Sequence, residues 1–393
     1  MIDGEHYPPV VRDALAELPY DFVCAVLAGG TEKLRGGEEY GVPLARGLAE
    51  AIAEHEPDVV VDLSDEPILG PQERFLLASR ALAAGVPYVG ADFRLEPPRF
   101  EPFGHSSLAV IGTGKRVGKT AVTGHLARLL ARDRHVVVVS MGRGGPPEPE
   151  LVKVAPTLGD LLALSRAGRH AASDHLETAA FAGVPTIGCR RCGGGLAGAT
   201  YVSNVLAGAR LAAGRSPDLV VFDGSGAAIP PVAVGARILV AHDLSSGLNP
   251  YRALVSDLVL TMDEAVARVA TALERPVIRF DLRLRPMEPL AGRRAAVFTT
   301  GPARVDHLEE VVVCSRHLAD RDLLRRDLEQ IDAEVYVVEL KAAAIDLVAE
   351  TAATRGIPVV FADNEVVASG LDDALLELAD LAIAAKARKN LSA

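Results

Sequence analysis

The stretch from Gly112 to Thr120 has the residue types of a phosphate-binding loop. It reads Gly-Thr-Gly-Lys-Arg-Val-Gly-Lys-Thr, follows the apolar run Leu108–Ile111 and precedes apolar residues at helical spacing. Glycines let successive backbone N–H groups point at one anion, and the N-terminus of the next helix adds partial positive charge. In such loops the lysine, here Lys119, reaches the β- and γ-phosphates, and the hydroxyl of Thr120 binds Mg²⁺. The stretch therefore predicts an ATP site that uses Mg²⁺.

The loop departs from the usual pattern at Thr113, where a glycine is expected. A glycine-rich turn before an ordinary helix is the alternative, but Gly-Lys-Thr at a strand-to-helix junction favours the ATP site. Lys115 and Arg116 add cations, and we expect them to act with Lys119 in catalysis. The predicted nucleotide-binding residues are Gly114, Lys115, Arg116, Val117, Gly118, Lys119, Thr120 and Ala121.

A carboxylate follows a later apolar strand. The run 218–222 ends in Asp223-Gly224-Ser225-Gly226. An Asp at a strand end downstream of a phosphate-binding loop is typical of a Mg²⁺ ligand, and we predict a catalytic and metal-binding role for Asp223. Asp-x-x-Gly is also typical of switch segments, so we place Gly226 in the substrate site. The alternative is an ordinary Asp-Gly turn.

A proline- and glycine-rich loop is expected beside the ATP site. The β-branched strand 135–139 runs into residues 140–150, which glycine and proline keep out of a helix. Arg143 offers a planar, permanently charged group for phosphate or carboxylate. Glu148 and Glu150 are either metal ligands or solvent-facing charges, and we retain Glu150 as the candidate metal ligand.

The segment Cys189-Arg190-Arg191-Cys192 is followed by three glycines. A structural zinc site would need four ligands, and no second cysteine pair is nearby. Two arginines before exposed glycine N–H groups instead predict an anion clamp. We expect Arg190, Arg191, Gly193 and Gly194 to bind substrate, although metal binding by the two cysteines stays open.

Alternating strand and helix patterns predict an α/β fold. We expect an N-terminal α/β domain at 1–104, a central P-loop NTPase domain with a mostly parallel sheet at 105–286, and a C-terminal α/β domain at 287–393. Helices are predicted at 44–54, 157–166, 173–182 and 202–213, and a strand at 184–188. The Asp62, Asp65 and Glu66 cluster is either a ligand site or a solvated loop. The loop 242–252 is a candidate for contacting either adenine or the second substrate, and nothing in its sequence decides between them.

Composition limits the partners. The 393 residues carry a net charge of −11, and Lys and Arg form no block, so we expect no nucleic-acid partner. No apolar run approaches membrane-spanning length and the start is unlike a signal peptide, so we expect no membrane partner. Four cysteines in a chain of this size predict a reducing, cytoplasmic location.

These segments together resemble the cyclic 2,3-diphosphoglycerate synthetase family, and the loop spelling also resembles that of dethiobiotin synthetases. The matching strings are Gly-Gly-Thr-Glu-Lys at 29–33, the loop at 112–120, Met-Gly-Arg-Gly-Gly-Pro-Pro-Glu-Pro-Glu at 141–150, Gly-Cys-Arg-Arg-Cys-Gly-Gly-Gly at 188–195, Asp-Gly-Ser-Gly-Ala-Ala at 223–228, Ser-Asp-Leu-Val at 256–259 and Val-Glu-Leu-Lys-Ala-Ala-Ala-Ile-Asp at 338–346.

The resemblance implies an ATP-dependent ligase. Its reaction closes an intramolecular phosphoanhydride in 2,3-bisphosphoglycerate and releases ADP and phosphate. It also implies a homodimer. Two alternatives remain: another P-loop ligase or kinase, such as a 2-phosphoglycerate kinase or a dethiobiotin-synthetase-like enzyme, and a nucleotide-gated metal-insertion switch that uses Cys189 and Cys192 as ligands.

Overall fold

A computed structural model describes residues 1–153, 160, 174–300, 304–339 and 345–391. They form a central domain built on a mostly parallel sheet, with one α/β domain on each side in chain order. The predicted fold class is therefore confirmed. Apart from residue 160, the helix predicted at 157–166 lies outside the described residues. Within the described ranges, every helix is too short or too polar for a bilayer-spanning segment.

The N-terminal domain has two small sheets, the parallel pair β1-β2 and the three-stranded β3-β4-β5 in which only β5 is antiparallel, with helices around them. Its elements are α1 (Pro8–Glu17), β1 (Ala25–Val26), β2 (Leu44–Ala45), α2 (Leu48–His55), β3 (Val60–Val61), α3 (Pro71–Ala83), β4 (Tyr88–Val89) and β5 (Arg94–Leu95). The first residues join β1 to β3, because the N–H of Ile2 donates to Val26 at 2.9 Å and the carbonyl of Met1 accepts from Leu63 at 2.9 Å. The helix predicted at 44–54 begins at residue 48 because β2 precedes it.

Asp62, at the end of β3, has a structural role in this domain. Its carboxylate accepts from the N–H of Ser64 at 3.0 Å, from Arg74 Nε at 2.8 Å and from the Tyr88 hydroxyl at 2.8 Å. A buried carboxylate with this many donors is fully satisfied by the protein. We therefore favour the structural interpretation of Asp62 over a ligand site.

The central domain carries the phosphate-binding loop. Its elements are β6 (Ser107–Gly112), α4 (Lys119–Leu130), β7 (Val136–Gly142), β8 (Glu150–Val152), α5 (Asp174–Ala182), β9 (Thr186–Cys192), β10 (Val202–Ser203), α6 (Val205–Ala213), β11 (Leu219–Asp223), β12 (Ala236–Ala241), α7 (Asn249–Leu254), β13 (Leu258–Thr261), α8 (Glu264–Ala272) and β14 (Val277–Arg279). The strand order is β10-β9-β7-β11-β6-β12-β13-β14, with β8 also beside β9. Only β8 and β10 are antiparallel to their neighbour β9. Strands β6, β7 and β11 are buried along their whole length, as expected for a sheet covered on both faces.

The C-terminal domain has a five-stranded sheet. Its elements are β15 (Asp281–Pro286), β16 (Ala295–Phe298), β17 (Val311–Ser315), α9 (Arg321–Gln330), β18 (Val335–Glu339), α10 (Ile345–Arg355), β19 (Val359–Val367) and α11 (Leu371–Leu391). The order is β15-β19-β18-β16-β17, and only β15 is antiparallel. Residues 281–286, which we had placed in the central domain, form the edge strand β15, so the boundary between the two sheets lies at Phe280.

Both outer domains pack against the central sheet. Helix α11 returns to it so closely that a side chain on Gly235 would come within 2.8 Å of the Ala382 Cα atom. On the N-terminal side, the connecting segment packs the ring of Phe103 edge-on against Phe222 of β11, with 5.4 Å between centroids. The sheet that carries the phosphate-binding loop is therefore contacted by both flanking parts of the chain, at Gly235 before β12 and at Phe222 of β11.

Candidate active site

The phosphate-binding loop, residues 113–118, connects β6 to α4 at the carboxyl edge of the parallel sheet. This is the edge where ligands bind in open α/β sheets. Gly118 has φ +93°, and a Cβ atom there would lie 3.2 Å from Phe280 Cζ and 3.4 Å from Leu282 Cδ1. Glycine is therefore required at this turn both by backbone conformation and by the neighbouring C-terminal strand.

Lys119 and Asp223 meet beneath the loop, as the predicted ATP site requires. Lys119 Nζ lies 2.5 Å from Asp223 Oδ1, and the hydroxyl of Thr123 donates to the same oxygen at 3.0 Å. Lys119 is 8% exposed and Asp223 is completely buried. The pair uses one of the three N–H donors of the ammonium, which leaves two for a phosphate group.

Two hydroxyls near this pair lack partners among the described residues. Thr120 is half-buried and its side chain makes no hydrogen bond there. Ser140, which the sequence analysis did not single out, is 1% exposed and its Oγ is also unpartnered. Ser140 pairs with Asp223 in register across β7 and β11, so their side chains share one face of the sheet. A polar residue at the end of a β-branched strand was the available signal for Ser140.

These oxygens fit Mg²⁺. The ion prefers carboxylate and hydroxyl oxygens and keeps several waters. A buried hydroxyl without a partner is costly unless it contacts a ligand or water. The hydroxyls of Thr120 and Ser140 and the carboxylate of Asp223 are the residues that would hold the ion.

Glu150 stands apart from this group. It pairs with Gly188 of β9, which pairs with Ser140 of β7, which in turn pairs with Asp223. Three strand spacings put the Glu150 Cα atom about 14 Å from that of Asp223. The antiparallel pairing of β8 carries this carboxylate to the edge of the sheet, so we leave Glu150 out of the proposed Mg²⁺ site.

Arg143 and Arg191 converge beside the phosphate-binding loop, at Gly226. A Cβ atom on Gly226 would lie 3.2 Å from Arg143 Nη2 and 3.6 Å from Arg191 Nη2. A Cβ atom on Gly112 would in turn lie 3.1 Å from the carbonyl oxygen of Gly226. Gly226 therefore joins the two guanidinium groups to the loop, and it has φ +57°, which favours glycine.

The predicted clamp of adjacent arginines takes a different form. Strand β9 continues to Cys192, beyond its predicted end at residue 188, so side chains 190 and 191 point to opposite faces. Arg191 is 9% exposed and donates to the carbonyls of Gly193 at 3.0 Å and Ser225 at 2.8 Å. Arg190 is exposed, and within the described ranges its guanidinium has no partner. Gly193 and Gly194 fold around Arg191: a Cβ atom on Gly194 would lie 3.4 Å from Arg191 Nη1.

Cys189 and Cys192 do not form a metal pair. Their spacing on β9 points them to opposite faces, with Cys189 buried and Cys192 exposed. Burial raises the pKa of the Cys189 thiol to about 12, which disfavours the thiolate that a metal needs. Among the residues that the structure describes, no three His, Cys, Asp or Glu side chains form a metal-binding group.

His242 completes the mouth of the loop and was not identified from the sequence. Its Nδ1 lies 2.8 Å from the Thr113 hydroxyl, and a Cβ atom on Gly114 would come within 2.8 Å of its Cε1. Residues 242–252 therefore include a side chain that lies directly against the phosphate-binding loop.

The chain matches known proteins along most of its length. Residues 1–96, 107–275 and 286–365 match the N-terminal, P-loop and C-terminal domains of cyclic 2,3-diphosphoglycerate synthetase. A protein of that name from Rubrobacter xylanophilus is 49% identical over 96% of each chain. Those from Thermococcus gammatolerans and Methanothermus fervidus are 43% and 36% identical, covering 96% and 98% of this chain and 96% of each relative.

Proposed function

Because the chain belongs to the cyclic 2,3-diphosphoglycerate synthetase family, we propose that it is an ATP-dependent ligase that closes an intramolecular phosphoanhydride in 2,3-bisphosphoglycerate. The products are cyclic 2,3-diphosphoglycerate, ADP and phosphate. One observation carries the proposal: the guanidinium groups of Arg143 and Arg191 meet at Gly226, whose carbonyl lies against the ATP-binding loop. Gly226 therefore lies between the phosphate-binding loop and the two guanidinium groups that would bind a polyanion.

The reaction balances in two displacements. An oxygen of one substrate phosphate attacks the γ-phosphorus of ATP, and the bond to ADP breaks. An oxygen of the neighbouring substrate phosphate then attacks the phosphorus of the first substrate phosphate, and the group received from ATP leaves as inorganic phosphate while the ring closes. Both steps bring anions together, so positioning and charge stabilisation provide the catalysis.

The cations of the site suit these tasks. Lys119, together with Lys115 and Arg116 of the loop, would stabilise charge on the transferred phosphoryl group. Arg143 and Arg191 would hold the substrate phosphates, since a guanidinium binds phosphate through two parallel hydrogen bonds. Mg²⁺, where Thr120, Ser140 and Asp223 would hold it, supplies neutralisation of the phosphate oxygens.

The arginines and the placement of the two cysteines favour this ligase over two of the alternatives. A dethiobiotin-synthetase-like enzyme would act on a diamine, which guanidinium groups at Gly226 would repel. A metal-insertion switch would need Cys189 and Cys192 on one face. We further propose a homodimer in a reducing cytoplasm, with which the four free thiols agree.

Phosphorus NMR of the protein with Mg²⁺, ATP and 2,3-bisphosphoglycerate tests the proposal. We expect a cyclic product together with ADP and phosphate in equal amounts. Arg143→Gln should raise the KM for bisphosphoglycerate, while Arg132→Gln, the same charge change on an exposed residue after α4, should leave it unchanged. ADP release with 2-phosphoglycerate and no ring would instead identify a kinase. ADP release indifferent to every phosphorylated acid would reject the ligase.

A further inference from the structure

Thr113 stands where the usual phosphate-binding loop has a glycine, and its hydroxyl contacts His242 twice. Oγ1 accepts from the backbone N–H of His242 at 3.1 Å and lies 2.8 Å from the ring nitrogen Nδ1. The N–H of Thr113 donates to the carbonyl of Val240 at 3.2 Å. The threonine therefore ties the first turn of the loop to the end of β12.

The Cε1 edge of the imidazole ring faces the loop backbone at Gly114. A Cβ atom on Gly114 would come within 2.8 Å of His242 Cε1, so only glycine admits the ring at this distance. The chain after the ring is held by Asp243, whose carboxylate accepts from the N–H and the hydroxyl of Ser245 at 2.8 Å each. The outer part of the ring remains exposed.

These contacts favour one position for the proton of the neutral ring. The Thr113 oxygen already accepts the backbone N–H of His242, so its own proton is best used by donating to Nδ1. An accepting Nδ1 leaves the proton of the neutral ring on Nε2. The loop thus gains an exposed N–H donor beside the backbone amides that hold phosphate.

We propose that His242 Nε2–H binds a phosphate oxygen at the mouth of the loop, and that Thr113 is the positioning residue that selects this tautomer. The phosphate belongs either to the nucleotide or to the phosphorylated second substrate. The identity of that second substrate rests on the proposed function, whereas the hydrogen bond itself does not.

Two substitutions at position 242 separate the donor from the bulk of the ring. Glutamine can place an amide N–H near the position of Nε2, whereas asparagine reaches only as far as Nδ1. Calorimetric titrations with Mg·ADP, a non-hydrolysable Mg·ATP analogue and 2,3-bisphosphoglycerate would give the affinities. We expect His242→Asn to weaken one phosphorylated ligand by about 10- to 100-fold, the loss of a hydrogen bond to a charged group, and His242→Gln to recover most of it.

Which of the three ligands loses affinity identifies the phosphate group that His242 contacts. A loss confined to the ATP analogue indicates the γ-phosphate, a loss shared with ADP indicates the β-phosphate, and a loss confined to bisphosphoglycerate indicates the second substrate. Unchanged affinities for all three ligands, or equal losses in the asparagine and glutamine variants, would overturn the proposal. If nucleotide binding depends on His242 but no cyclic product forms, the inference stands and the proposed function fails.

The role of Thr113 has a spectroscopic signature. In ¹⁵N NMR of the ten histidines, the signals lost in His242→Gln identify His242. We expect the Nε2–H form in the native protein and in Thr113→Ser, and a mixture of tautomers in Thr113→Val. A purely structural threonine would leave the tautomer unchanged in the valine variant, and that result would refute the positioning role. Thermal melting curves would verify that each variant is folded.

Discussion

Replacing Lys119 with methionine tests whether its ion pair with Asp223 supports both stability and catalysis. The ammonium lies 2.5 Å from a completely buried carboxylate. Methionine keeps the unbranched stem but leaves the carboxylate with the Thr123 hydroxyl at 3.0 Å as a neutral donor. Removing one partner of a buried pair costs about 3–5 kcal/mol because the remaining charge is uncompensated. Since Thr123 still donates, we expect the low end, about 3 kcal/mol.

Urea unfolding followed by circular dichroism, without nucleotide, measures this cost. Lys115→Met is the matched control, because it makes the same chemical change in the same loop on an exposed side chain with no partner among the described residues. Its free energy of unfolding should change by less than about 0.5 kcal/mol. The double variant Lys119→Met/Asp223→Asn replaces the unneutralised Asp223 carboxylate with a neutral amide and should regain most of the lost stability.

Activity should not follow stability in this series. We expect Lys119→Met and the double variant both to lose about 100-fold or more in ADP release, since a donor to the transferred phosphoryl group is gone. A Lys119→Met protein that unfolds at the native urea concentration would contradict the buried-pair argument. A double variant no more stable than the single one would contradict it equally.

Three further predictions follow from other contacts. Ser140→Ala removes a buried hydroxyl that has no partner, so the free energy of unfolding should be unchanged or slightly higher. A higher Mg²⁺ concentration required for ADP release would indicate that Ser140 helps Asp223 to bind the ion. At pH 8 a disulfide-exchange reagent should modify Cys192 and spare Cys189, whose burial raises its pKa to about 12; rapid loss of the Cys189 thiol in the folded protein would show that it is not buried. Partial burial opposes ionisation of Asp243, but hydrogen bonds from its own loop prevail and lower its pKa to about 2. The stability that the ionised carboxylate provides is therefore present above about pH 4 and lost towards pH 2. Asp243→Asn should flatten that part of the plot of unfolding free energy against pH, and an unchanged slope would exclude the effect.

The sequence identified groups whose chemistry depends on local spacing. The loop at 112–120 was predictable because a strand, glycines and Gly-Lys-Thr must follow one another in the chain. Asp223 was predictable because its strand is apolar and ends in Asp-Gly, and parallel strands bring their ends to one edge. The pairing of Lys119 with Asp223, 104 residues apart, follows from those two facts.

The features that the sequence did not predict arise from contacts between parts of the chain that are distant in sequence. We expected β9 to end at residue 188, but pairing with β7 and β10 extends it to Cys192, so Arg190 and Arg191 alternate between faces. The contact between Thr113 and His242 spans 129 residues, and no local pattern connects them. The unusual threonine at a glycine position was the available signal, and only the fold shows what it contacts.

The cations at the site form an exposed group and a buried group. The cations that are exposed and have no partner among the described residues are Lys115, Arg116, Arg143 and Arg190. Because salt screens exposed charges beyond about 8–10 Å, the net charge of −11 has little effect on a polyanion that is already near these side chains. Lys119 and Arg191, in contrast, are buried and hydrogen-bonded by the protein before any ligand binds. Under the proposed function we therefore expect the exposed cations to attract the polyanion, and the buried Lys119 and Arg191 to fix the geometry in which two phosphates can react.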